Sequence, residues 1–136
     1  MPAEDLEALR DELRAAQART AQMRAHFALE LEALMDGEIS QSDFALTLER
    51  ALIPQWGYEG TERSRRAGNA GTRARALELM SLSAGSWSLG LTTYARGLRS
   101  ADPKSVRQAF DSMSDAEEFE RQAYALLWDA QERASR

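Results

Sequence analysis

The 136 residues include no cysteine and carry a net charge of −5, which excludes disulfides, thiolate metal sites and cysteine nucleophiles. The length is that of one domain, here residues 1–136, able to bury a core without covalent staples. Charge is unevenly placed: residues 1–62 hold five arginines against thirteen acids (−8), residues 63–107 nine basic residues against two acids (+7), and residues 108–136 three against seven (−4).

Leu6, Leu9, Leu13, Ala16, Thr20, Met23 and Phe27 recur at alternating steps of three and four. This is the a/d spacing of a coiled-coil-like helix lying against other helices. It predicts a first helix over about 3–36, with two small or polar members, Ala16 and Thr20, in mid-seam and Gly37 supplying a left-handed stop. The acidic start Met1-Pro2-Ala3-Glu4-Asp5 leads straight into this pattern, and no window approaches the roughly 18 apolar residues of a membrane span. A cytoplasmic protein without membrane contact is expected.

Ser40 reads as the N-cap of a second helix, with Asp43 in the capping-box position and Ile39 and Phe44 as a hydrophobic staple. Phe44, Leu48 and Leu52 share one face, and Pro54 disfavours helix at Ile53, so this helix is expected to be short, about 41–53. Pro54–Gly71 contains four glycines and one proline and no apolar periodicity, which predicts a long loop, the kind of connection that is usually functional or disordered. It carries Trp56, Tyr58, Arg63, Arg65 and Arg66.

Thr72 is the expected cap of a third helix over about 73–99, whose seam is Leu77, Met80, Ala84, Trp87, Leu91, Tyr94 and Leu98. Its serines and glycines are poor helix formers, so a neighbouring helix must approach them closely and packing must outweigh propensity. A kink, or a pocket lined by Trp87 and Tyr94, is the alternative. Asp102-Pro103 opens a fourth helix over about 103–133, with Val106, Ala109, Met113, Ala116, Ala123, Leu127 and Ala130 on the seam and Glu120 interrupting it. The fold class is therefore all-α: an uneven up-and-down four-helix bundle of three long helices and one short, with a long loop between the second and third.

Chemistry is sparse. A two-metal bundle site needs Glu-x-x-His on two helices, and the chain has one histidine. His26 and Glu30 lie four apart, but such a surface pair requires no metal. No catalytic residue, metal or cofactor is expected. Phosphotransfer domains are helical bundles with an exposed histidine on a long helix, and the chain resembles them only to that extent. His26-Phe27-Ala28-Leu29-Glu30 lacks the lysine and glycine that those domains place after the histidine. Lys104 is the only lysine among seventeen basic residues, which we read as coding bias.

Arg63, Arg65, Arg66, Arg73 and Arg75 fall in a stretch without one acid, and Arg73 and Arg75 oppose the dipole at a helix start. An acidic partner is implied, inside the chain or on another protein. Nucleic acid is not favoured, because the flanking regions are acidic and the aromatics are not interleaved with the arginines. The expected function is that of a non-catalytic interaction or adaptor protein, homodimeric or bound to another helical protein. Its surface would comprise Leu9 and Leu13, bared by the short second helix, with Trp56, Tyr58 and the five arginines. The alternatives are a nucleic-acid-associated subunit using Arg63–Arg75 and a phosphotransfer-like module using His26.

Overall fold

The computed structural model describes residues 2–136. Helices α1 (Ala3–Met35), α2 (Gln41–Thr47), α3 (Ile53–Ala67), α4 (Gly71–Ser100) and α5 (Pro103–Ala134) account for it, with a π-helical turn at Leu48–Leu52 joining α2 to α3. Because α2, the π-turn and α3 follow one another without a break, they form a single rod, and the molecule is a four-helix bundle of antiparallel neighbours.

The seams of α1, α4 and α5 are where the periodicity places them. Leu6, Leu9, Leu13, Ala16, Thr20 and Met23 are buried on α1, as are Leu77, Met80, Ala84, Trp87, Leu91 and Tyr94 on α4. On α5 Ala109, Met113, Ala116, Ala123, Leu127 and Ala130 are buried. α1 ends in a left-handed Gly37 whose N–H donates to Leu34 O at 3.2 Å, while Glu38 N–H donates to Ala33 O at 2.9 Å, satisfying two terminal carbonyls. Ser40 Oγ accepts from Asp43 N–H at 3.0 Å, and Asp102 Oδ1 accepts from Lys104 N–H at 3.1 Å. Thr72 is not a cap: α4 begins at Gly71, two residues before the expected start, behind Ala70, which offers no side-chain acceptor.

The second rod corrects the sequence-based expectation. Pro54–Gly71 is not a loop, and the second helix is not short; only residues 68–70 separate α3 from α4. Pro54 fails to stop the rod because of the π-turn before it. A helical proline lacks an N–H and its ring crowds the carbonyl four residues back, here Arg50. Arg50 lies inside the wider turn, where Ile53 N–H reaches back five residues to Leu48 O and Ile53 keeps helical angles. The same turn serves packing. Phe44, Leu48, Leu52 and Trp56, all buried, are spaced by four, and each such step in a straight α-helix drifts by about 40°. The extra residue in the turn offsets that drift. With α3 in place the second rod is long, running from Gln41 to Ala67, and the unevenness expected of the bundle is absent.

The serines and glycines of α4 lie where neighbours come close. A Cβ on Gly97 would stand 3.0 Å from Val106 Cγ2, and one on Gly90 would stand 3.1 Å from Ala109 O, so α5 lies directly on both. On the side toward α3, Ser81 Oγ donates to Gly60 O at 2.8 Å. Trp87 and Tyr94 fill space in the core: Trp87 stacks on Trp56 at 5.4 Å, and Tyr94 meets Phe27, Phe44 and Phe110 edge-on. Not every helical glycine is needed, since a Cβ on Gly57 would meet nothing within 4 Å. Gly57→Ala is therefore expected to raise stability by roughly 1 kcal/mol through helix propensity, and Gly97→Ala to lower it. Thermal unfolding of the two variants should shift in opposite directions.

Candidate interaction surface and the buried arginine layer

The bundle interior is two apolar clusters. One contains Leu6, Leu9, Leu13, Ala16, Leu77, Met80, Ala123 and Leu127, and the other Met23, Phe44, Leu48, Leu52, Trp56, Trp87, Leu91 and Met113. Between them lies a polar layer. Thr20, Glu59, Arg63 and Ser83 are the buried polar residues among the described ones, and they come from α1, α3 and α4 at one level. Glu120, the interruption in the α5 seam, stands at the same height between Ala116 of one cluster and Ala123 of the other.

Arg63 is 2% exposed and uses four of its five N–H donors. Nε donates to Glu59 Oε1 at 3.0 Å, one terminal nitrogen to Met80 O at 3.0 Å, and the other to Ala16 O at 3.1 Å and Thr20 Oγ1 at 2.9 Å. Arg19 Nε donates to the same Glu59 oxygen at 2.6 Å from a half-exposed position on α1. Ser83 Oγ donates to Ala116 O at 2.7 Å, and Tyr124 Oη to Leu13 O at 3.1 Å, which ties α5 to both neighbours. Burial lowers the Arg63 pKa, with the Glu59 carboxylate opposing it. Burial and the nearby Glu120 carboxylate push the Tyr124 phenol up to about 12.

The residues expected to bind a partner part company here. Leu9 and Leu13 are fully buried within the chain, and Trp56 and Arg63 are core residues, so none of the four offers surface to a second molecule in this fold. Leu9 and Leu13 are enclosed by Leu77 and Met80 of α4 and Ala123 and Leu127 of α5, with Ala67 of α3 at the edge, and the stretch expected to be a loop is a helix whose Trp56 and Arg63 face the core. Tyr58 is exposed at 67%. The other arginines also have carboxylates in their own chain. Arg65 lies 2.7 Å and Arg66 4.0 Å from Glu62, Arg73 2.8 Å from Glu12, and Arg75 3.6 Å from Glu78. The acidic partner implied by this segment is thus present internally. His26 stands 3.7 Å from Glu30 on α1, partly exposed.

The exposed side of α4 carries a further feature. Outside its buried seam, α4 carries a second row at heptad spacing: Arg75, Glu78, Leu82, Gly85, Leu89, Thr92, Arg96 and Arg99. Each of its members up to Arg96 precedes an inner-seam residue by two positions, which places it about 160° round the helix. All but the partly buried Thr92 are exposed, Leu82 at 43% and Leu89 at 59%. Residues 79–95 include no charged side chain. Two shallow grooves run along the α3 side of this row. One of ≈ 570 Å³ is lined by small and polar residues including Gly57, Gly60, Ser81 and Gly85 and by Arg65, and one of ≈ 420 Å³ by Ile53, Thr92 and Ala95 with the charged Glu49, Arg96 and Arg99. A three-and-four repeat is readable in sequence, but the stronger inner seam of the same helix hides it.

No protein-family model, curated protein or solved structure matches the chain. Among the described residues no group of three or more acidic or histidine side chains is placed to hold a metal ion, and no helix is long and apolar enough to cross a membrane.

The Tyr124 phenol gives the layer a pH signature. A folded-state pKa of about 12 against an ordinary 10 means that the folded chain holds the phenolic proton more tightly than the unfolded one. The corresponding stability is present below pH 10 and is lost as pH rises toward 12. Ultraviolet titration should show one tyrosine ionising near pH 12, and Tyr124→Phe should remove that step and cost about 1 kcal/mol for the hydrogen bond to Leu13 O.

Proposed function

We propose that the chain is a non-catalytic helical interaction protein of the cytoplasm, and that it acts through the outward heptad row of α4. The observation that carries this reading is the pair of solvent-exposed leucines, Leu82 and Leu89, on a helix whose other seam is fully occupied by the bundle core. A bundle needs one apolar face per helix; a second, in an uncharged stretch, serves contact with another protein. Tyr58, exposed on α3, adds an aromatic side chain of the kind enriched in interfaces. The nucleic-acid reading loses its main support, since Arg63 is unreachable and each remaining arginine of that segment stands by a carboxylate.

Placing a photo-crosslinking amino acid at Leu89 tests the reading in living cells of the native host, with the exposed Gln17 of α1 as the control position. A discrete protein adduct is expected from Leu89 and none from Gln17. Absence of any protein adduct at Leu89, or crosslinking to nucleic acid from either site, would overturn it.

A further inference from the structure

Resting on that reading, we propose that the occupant of the outward row is a second copy of this chain, with α4 packed antiparallel on α4 about a two-fold axis at the level of Trp87. The row is self-complementary about that point. Gly85 and Leu89 each lie two residues from it, Leu82 and Thr92 five, and Glu78 and Arg96 nine. Antiparallel pairing therefore sets Leu89 against Gly85 of the partner subunit, Leu82 against Thr92 of the partner subunit, and Glu78 against Arg96 of the partner subunit. An isologous interface repeats each contact, so both copies gain all three.

Each pairing has a physical basis on the surface. A Cβ on Gly85 would meet nothing within 4 Å, so the position is an open notch beside the ≈ 570 Å³ groove, and a leucine side chain fits over it. Large against small at facing positions is how close helix pairs interdigitate. Opposite charges fall together at both ends of the contact, which fixes the antiparallel direction and disfavours the parallel one. The outermost arginines, Arg75 and Arg99, also meet across the ends: Arg99 is held by Glu49 of its own chain at 2.5 Å, and Arg75, 3.6 Å from Glu78, shares that carboxylate with Arg96 of the partner subunit. The Arg99 guanidinium, in turn, holds the Glu49 carboxyl below its ordinary pKa. Between these ends α4 brings no charge of its own to the contact, because residues 79–95 have none, and the Arg65 side chain that lines the groove beside Gly85 is paired with Glu62 at 2.7 Å.

Sedimentation equilibrium of the purified chain tests this. The expected wild-type mass is twice 15.2 kDa in the micromolar range. Leu89→Glu and, as a milder variant, Leu89→Ser should return it to the single-chain mass with helical circular dichroism unchanged. Glu78→Arg and Arg96→Glu should each weaken self-association about tenfold, and mixing the two variants should restore it, since every end contact is then Arg against Glu. A wild-type chain at 15.2 kDa throughout that range overturns the proposal, as does a dimer indifferent to Leu89→Glu. So does a pair of charge variants that fails to recover on mixing. A single-chain mass together with a Leu89 adduct to a different protein would overturn the homodimer while leaving the interaction reading in place.

Discussion

A guanidinium shut away from water sits halfway along this bundle, and the positions of three helices follow from its needs. Arg63 takes its acceptors from α1 at Ala16 and Thr20, from α3 at Glu59 and from α4 at Met80. Apolar seams alone tolerate a shift of register by one heptad, because one leucine replaces another. A buried charge does not, since a shifted α1 would leave donors of Arg63 without partners at a cost of several kcal/mol. The layer thus sets which residue of α1 faces which residue of α3, and the two apolar clusters assemble on either side of it.

The same division accounts for features that look unrelated in sequence. Thr20 on α1 and Glu120 on α5 interrupt otherwise regular seams because both stand at the height of the layer. On α4, Ser83 binds the Ala116 carbonyl at that level. Farther along, Gly90 and Gly97 let α5 approach, while the opposite side of α4 keeps Leu82 and Leu89 in solvent. This helix has core contacts on one face and, on the proposal made above, intermolecular contacts on the other.

The three long seams were legible because a/d periodicity is a direct image of burial. Ser40 and Asp102 were legible because capping chemistry is local. The rod from Gln41 to Ala67 was legible only as far as Leu52. Beyond it the seam continues as Trp56, Glu59, Arg63 and Ala67, all buried, but two of the four are charged, and a pattern read for apolar side chains cannot register a seam made of an ion pair. Pro54 strengthened the misreading, because the π-turn that accommodates it has no sequence signature of its own. The sequence marks Arg63 as a charge in need of a partner, yet nothing in its neighbourhood shows that it and Arg19, forty positions before Glu59, donate to one and the same oxygen of Glu59, one turn away.

Glu59 is where the account is most exposed to test. Its single carboxylate pairs with both Arg63 and Arg19, so removing its charge leaves two guanidiniums facing each other, whereas removing Arg63 leaves Glu59 still held by Arg19. Denaturant unfolding of Glu59→Gln, Arg63→Met and the double variant measures the difference directly. A layer that governs the fold requires Glu59→Gln to lose about 3–5 kcal/mol, Arg63→Met to lose less, and the double variant to be more stable than the sum of the two losses allows. A Glu59→Gln variant within about 0.5 kcal/mol of wild type, or losses that simply add, would contradict it.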